Sequence, residues 1–99
     1  MTDKKATEVK LEVQIDDDTA QGVYSNLALV NHTETEFIID FIFVQPQAPK
    51  AKVRSRIITS PRHLKRLIGA LQENLRRYEE QHGPVVTVVP PAVDDAHYH

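Results

Sequence analysis

The sequence contains no cysteine, which excludes disulfide scaffolds, cysteine zinc sites, iron–sulfur clusters and thiol nucleophiles. No apolar run approaches the roughly 20 residues that a membrane-spanning helix needs. The segment from Met1 to Thr7 contains two lysines and an aspartate and lacks the apolar stretch of a signal peptide. We therefore expect a soluble, cytoplasmic protein.

Glycine and proline are both sparse, with three and six residues, while 40% of the chain is apolar and 26% is charged. This composition is typical of a globular domain and excludes a fully disordered or collagen-like chain. A chain of 99 residues has room for one domain and gains from a partner subunit, because small domains bury little surface. We expect a flexible N-terminus over residues 1–7, one domain over 8–83 and a flexible tail over 84–99.

The net charge of −2 hides a basic segment between two acidic ones. Residues 50–66 hold seven lysines and arginines and no acid, whereas residues 1–49 hold nine acids and three lysines. Such a block can attract phosphates, or it can attract the acidic surface of a second copy.

Alternating apolar residues predict four strands, at residues 8–15, 23–30, 36–45 and 51–58. Asp16 to Asp18 breaks the first alternation and is predicted to be a solvated turn. The third strand is apolar on both faces except at Asp40, which is typical of a central, covered strand. The fourth strand carries cations on its outer face.

Ser60-Pro61 and Gly83-Pro84 predict the start and the end of one long helix. The helix spans about 22 residues, or roughly 33 Å at 1.5 Å per residue, which is longer than the strands. Its C-terminal part therefore overhangs the sheet, and Leu75 and Tyr78 need another surface to cover them. The fold class is α+β, a four-stranded antiparallel meander followed by one long C-terminal helix.

One helix cannot cover both faces of this sheet, and an uncovered apolar face is an aggregation liability. A homodimer or a higher homo-oligomer solves this problem with the same patch on each subunit. The alternative is that the tail folds back over the patch. The predicted interface consists of Ile38, Ile42, Val44, Tyr24, Val30, Leu75 and Tyr78.

Asp40 lies within an apolar run, and a buried carboxylate needs a cation or several hydrogen-bond donors. Neighbouring strands supply them, so we predict a structural ion-pair group of Asp40, Glu36, Arg54 and Arg56. Asp40 has no companion acid or nucleophile that would make it a general base. His32 and His63 lack partners at metal-ligand spacing, and His97 with His99 could hold a divalent ion only loosely, because two ligands on a flexible tail do not make a specific site. We predict no catalytic residue, metal or cofactor, and hence no enzyme.

A basic cluster forms the candidate binding surface. It comprises Lys52, Arg54, Arg56, Arg62, Lys65 and Arg66. An acidic protein is the favoured partner, because the net charge is negative and the aromatic residues typical of single-strand binders are absent beside these cations. Nucleic-acid binding through the same residues is the alternative.

Several stretches resemble a family of small prokaryotic proteins, domain-of-unknown-function family 3467. The similar segments are 23–28, 32–33, 36–41 (Glu-Phe-Ile-Ile-Asp-Phe), 52–58, 60–61 and 71–79. The resemblance spans about residues 8–84 and implies no established activity. The predicted order of elements is also similar to that of the export chaperone SecB, an oligomer that holds unfolded chains. We therefore predict a homo-oligomeric interaction module, with nucleic-acid binding and a SecB-like holdase as alternatives.

Overall fold

The computed structural model describes residues 10–88. Its elements are α1 (Asp17–Ala20), β1 (Leu27–His32), β2 (Phe37–Val44), β3 (Ala51–Thr59) and α2 (Pro61–His82). The three strands form one antiparallel sheet in the order β1-β2-β3. The α+β class and the C-terminal helix are thus confirmed. The predicted flexible N-terminus and residues 89–99 of the predicted tail lie outside the described residues.

The register of the sheet contains one irregularity, next to the centre of β2. Phe41 pairs with Ser55 and Ile42 pairs with Val53, so Arg54 is an extra residue on β3 and forms a β-bulge. A bulge breaks the strict alternation of side chains along its strand. Alternation in the sequence cannot reveal this break.

The first predicted strand, at residues 8–15, does not form over its described residues 10–15. Residues 10–16 adopt no strand, and Leu11 and Val13 are 80% and 88% exposed. An alternating pattern favours a strand only where a sheet edge supplies hydrogen-bond partners, and neither edge of this sheet pairs with the segment. The element order that suggested a likeness to SecB therefore lacks one strand.

The aspartate run forms a short helix rather than the predicted turn. Asp16 is the N-cap of α1, and its side chain accepts a hydrogen bond of 2.7 Å from the backbone N–H of Thr19. Asp17 and Asp18 occupy the first turn, where acids complement the helix dipole. Two hydrogen bonds from Thr19 lower the pKa of Asp16, and the one from its backbone has a larger effect than the one from its side chain.

The boundaries of α2 agree with the prediction. The Ser60 hydroxyl accepts a hydrogen bond from the N–H of His63, Pro61 is the first helical residue, and Gly83 follows the last turn with a φ of 89°. A positive φ favours glycine because it has no Cβ. Strand β1 starts later than predicted, at Leu27, since Asn26 uses its side chain to pair with β2 in place of a regular strand residue.

The buried part of the described chain is small and lies on β2. Ile39, Asp40 and Ile42 are its buried residues, and no residue of α2 is buried. Extensive packing between elements in residues 10–88 joins β2 to β1 and β2 to β3, with nothing comparable between α2 and the sheet. No helix in the described part of the chain is long and apolar enough to cross a membrane.

Candidate functional site

The most buried polar group of the described chain is the Asp40 carboxylate, with an exposed fraction of 0%. Arg56, which pairs with Asp40 across β2 and β3, donates two hydrogen bonds to this carboxylate. Nε donates to Oδ1 at 2.7 Å, and an Nη donates to Oδ2 at 2.8 Å. Such a fork is among the stronger arrangements of a charged hydrogen bond. The pair locks the register of β2 against β3.

The other members of the predicted ion-pair group do not join this pair. Glu36 precedes β2, and Arg54 is the bulged residue of β3. Neither forms an ion pair with any residue between 10 and 88. The structure thus brings together Asp40 and Arg56, and leaves Glu36 and Arg54 outside.

The bulge also separates the cations of β3, which the sequence placed on one face. Lys52 is opposite Phe43, whereas Arg56 is opposite Asp40. Directly opposed residues share a face and successive residues of β2 alternate, so Lys52 and Arg56 lie on opposite faces of the sheet. The expectation of one cationic outer face is therefore wrong.

Lys52 and Arg54 instead line an open groove at the end of the β2–β3 hairpin. The lining residues are Phe43, Gln45, Pro49, Lys50, Ala51, Lys52 and Arg54. Three of these residues are cations and none is an acid, and the three cations form no ion pair within the described chain. We call Lys50, Lys52 and Arg54 the groove cations.

The three remaining predicted cations lie on the first two turns of α2 and do not line this groove. Arg62, Lys65 and Arg66 are all exposed. The predicted cluster is therefore distributed over three places: the groove, the ion pair with Asp40, and the start of α2.

The predicted dimer interface does not lie on one face of the sheet. Val30 is opposite Ile39, so it lies on the face opposite to that of Ile38, Ile42 and Val44. Tyr24 also joins the face of Val30, because its ring packs edge-on against Phe43 at 6.1 Å. The prediction placed all five sheet residues on one face because it assumed a longer β1, and the sequence does not give the register between β1 and β2.

Exposure also divides the predicted interface residues. Ile42 is only 3% exposed within a single chain, whereas Tyr24 and Val30 are more than half exposed. Leu75 and Tyr78 on α2 are about half exposed, at 49% and 52%. Ile42 thus belongs to the core of one chain, and a change there would report on folding rather than on association.

Two features of this surface were missed by the sequence reasoning. Lys50 completes the groove, and its position directly before the cationic strand was a signal for it. Asn26 closes the end of the sheet: its amide donates to the carbonyl of Val44 at 3.1 Å and its oxygen accepts from the N–H of Val44 at 2.8 Å. Nothing in the sequence marks Val44 as the partner of Asn26.

The chemistry available at these sites is that of charge recognition. Within residues 10–88 there is no group of three or more side chains placed to hold a metal ion. The histidines at 97 and 99 lie outside the described residues. The groove cations can bind carboxylates or phosphates, and Asp40 is already engaged with Arg56.

Comparison with known proteins assigns the chain to a family. The family model "Protein of unknown function (DUF3467)" matches residues 1–87 of the 99-residue chain. The chain belongs to this family. No curated protein matches it, and no solved structure does.

Proposed function

We propose that this member of the family is a homo-oligomeric interaction module. Self-association covers α2, and the groove cations face an acidic protein partner. One observation carries the proposal: the apolar residues of a 22-residue helix stay uncovered in a single chain. The proposal includes no catalytic step.

Burial energetics support self-association. Leu71 and Leu75 on α2 are 60% and 49% exposed. Burying a leucine side chain is worth about 1.5–3 kcal/mol relative to leaving it exposed. A row of such residues exceeds what a monomeric surface normally leaves in water.

Sedimentation equilibrium tests the association. Leu75→Lys places a charge on the apolar side of α2, and we expect it to shift the chain toward the monomer. Gly69→Lys is the matched control, because it adds the same side chain at a position where a Cβ would meet no neighbouring group within 4 Å. If both variants keep the mass of the unmodified chain, α2 is not the surface of association.

Charge at the groove supports the second part of the proposal. Lys50, Lys52 and Arg54 lie together without an acid among the lining residues. Residues 1–49 hold nine acids and three lysines, and the whole chain has a net charge of −2. The groove is therefore a local positive surface on a protein of net negative charge. Complementary charge steers association with acidic partners.

A nucleic acid is the second candidate partner, and one observation favours it. Phe43 lines the groove and is the register partner of Lys52, which provides an aromatic ring beside the cations. Aromatic rings beside cations are the usual platform for single-stranded nucleic acid.

Fluorescence anisotropy with mixed DNA and RNA oligonucleotides separates the two partners. Binding that weakens steeply between about 50 and about 200 mM salt indicates contacts with phosphates. Lys52→Glu with Arg54→Glu should then abolish it, while Arg62→Glu on α2 is the control outside the groove. No binding at the lower salt concentration excludes the nucleic acid and leaves the protein partner.

A further inference from the structure

Most of the large apolar residues of α2 follow a stricter pattern than simple amphipathicity, with Leu67 beside it. Spacings of four and three residues alternate along the whole helix, through Leu64, Ile68, Leu71, Leu75, Tyr78 and His82. A 4-3 repeat is typical of the residues at which two helices of a coiled coil meet. We call these six residues the seam.

The seam is uncovered within one chain. Ile68, Leu71, Leu75 and Tyr78 are each about half exposed or more, and Tyr78 stacks on His82 along the same stripe at 4.7 Å. We propose that the seam pairs with the seam of a second copy in the antiparallel direction, around a two-fold axis near residue 73. This inference rests on the proposed self-association and names its geometry.

Residue sizes fit this antiparallel register. With the axis at residue 73, Leu71 meets Leu75 of the partner subunit, and Ile68 meets Tyr78 of the partner subunit. Leu64 meets His82 of the partner subunit at each end, where water can reach the imidazole. Every apolar layer thus has an apolar or aromatic partner, as antiparallel helix pairs require.

Charge selects the antiparallel direction over the parallel one. The start of α2 carries Arg62, Lys65 and Arg66 without an acid, and its last turns carry Glu79 and Glu80. A parallel pair would bring the two positive helix starts together at one end. An antiparallel pair instead places each positive start beside the end of the partner's helix that carries the acids and the negative pole of the helix dipole.

Lys65 and Glu79 lie on the same flank of the seam, two heptads apart. In the antiparallel pair each Lys65 faces Glu79 of the partner subunit, so the two-fold axis creates two such pairs. In a parallel pair Lys65 would instead face Ser60 of the partner subunit and find no acid there. Lys65 forms no ion pair within residues 10–88.

Four other charged residues of α2, Glu73, Arg76, Arg77 and Glu80, are already paired with one another on the back of the helix. Arg76 donates to Glu73 at 2.7 Å and to Glu80 at 2.6 Å, and Arg77 lies 3.4 Å from Glu73. The hydrogen bond to Glu73 is the first cause that raises the pKa of Arg76. Glu79 uses one oxygen to accept the N–H of Val85 at 2.9 Å, and its other oxygen is the one assigned to Lys65.

Single introduced cysteines test the direction, since the chain has none of its own. Asn74→Cys lies beside the axis, and we expect mild oxidation to join two copies of it through a disulfide. His82→Cys is the matched control on the same helix. Its two copies would be separated by about 27 Å at 1.5 Å per residue, so we expect no disulfide.

The outcomes separate this inference from the proposed function. Coupling of His82→Cys without Asn74→Cys would show a parallel pair and overturn the inference. A dimeric mass with neither variant coupled would also overturn it, while self-association would stand. A monomeric mass would overturn both.

Charge exchange gives an independent test that needs no cysteine. Lys65→Glu and Glu79→Lys each create two repulsive contacts in their own dimers, and we expect each to weaken the dimer roughly tenfold. Mixing the two variants restores attraction at both contacts, so a heterodimer should form. Absence of a heterodimer in the mixture would contradict the assigned pairing.

Discussion

The β2–β3 pair and helix α2 are neighbours in sequence but differ in how each is stabilised. The strand pair contains the buried Ile39 and Ile42 and locks its register with the fork between Asp40 and Arg56. Helix α2 has well-formed caps and an ion-pair network, yet none of its residues is buried.

The difference shows that local interactions specify this helix, while its apolar face stays uncovered within residues 10–88. Caps and surface ion pairs set where α2 begins and ends, and each contributes about 1 kcal/mol or less. Helical stability in proteins comes mostly from packing of the apolar face. We propose that this uncovered face of α2 is one half of an interface between two copies.

The largest effect is expected at the fork that stabilises the strand pair. Arg56→Ala removes two charge-assisted hydrogen bonds from a carboxylate with no exposed surface, and breaking such a pair costs about 3–5 kcal/mol. Chemical denaturation should show this loss. Arg56→Lys is the control that keeps the charge and loses the fork, and it should cost less.

The reverse substitution sharpens this prediction. The Arg56 side chain is 44% exposed, so water can solvate it when Asp40 is replaced. Asp40→Asn should therefore destabilise the fold less than Arg56→Ala. Equal losses from the two variants would mean that Arg56 is as dependent on the pair as Asp40 is.

The next effect concerns the seam of α2. Leu71→Ala should lower the stability of the dimer by about 2–5 kcal/mol if the side chain is buried there. If Leu71 stays at the surface of a single chain, the same substitution should change the free energy of unfolding by no more than about 0.5 kcal/mol. Denaturation at several protein concentrations distinguishes these results, because only a dimer gains stability with concentration.

A smaller effect is expected where the sheet closes at Asn26. Asn26→Ala removes both side-chain hydrogen bonds to the backbone of Val44 and should cost about 1–2 kcal/mol. Hydrogen exchange should show faster exchange of the Val44 amide. Unchanged protection of that amide would mean that Asn26 is not what closes the sheet.

The smallest effect is a pH dependence confined to α1. Hydrogen bonds from Thr19 lower the pKa of Asp16 in the folded chain, so the cap stabilises α1 above the pKa of an ordinary aspartate. That stabilisation is lost as the pH falls through the lower folded-state pKa. An NMR titration of the Asp16 carboxylate should give a midpoint below about 3.9, and a midpoint at or above that value would refute the cap.

Local signals predicted the elements that depend on local interactions. Ser60, Pro61 and Gly83 marked both ends of α2 because caps act within one turn. The isolated carboxylate of Asp40 indicated a cation on a neighbouring strand, since a buried charge needs a partner. Apolar residues on both faces of β2 also identified it as the central strand.

The predictions that were wrong concern features that depend on contacts between segments, which no single segment encodes. The alternation at residues 9–15 had no sheet edge to pair with, so no strand formed over the described residues 10–15. The bulge at Arg54 reversed the faces of the β3 residues that precede it and dispersed the predicted cationic cluster. Register and bulges are set by cross-strand pairing, which a single strand pattern does not contain.

Self-association is tested most directly by the native mass of the unmodified chain at several protein concentrations. We expect a mass near twice the 11.3 kDa of one chain, or a larger multiple, because a second copy is proposed to cover the seam of α2. A mass of one chain at every concentration, with α2 still helical by circular dichroism, would contradict self-association.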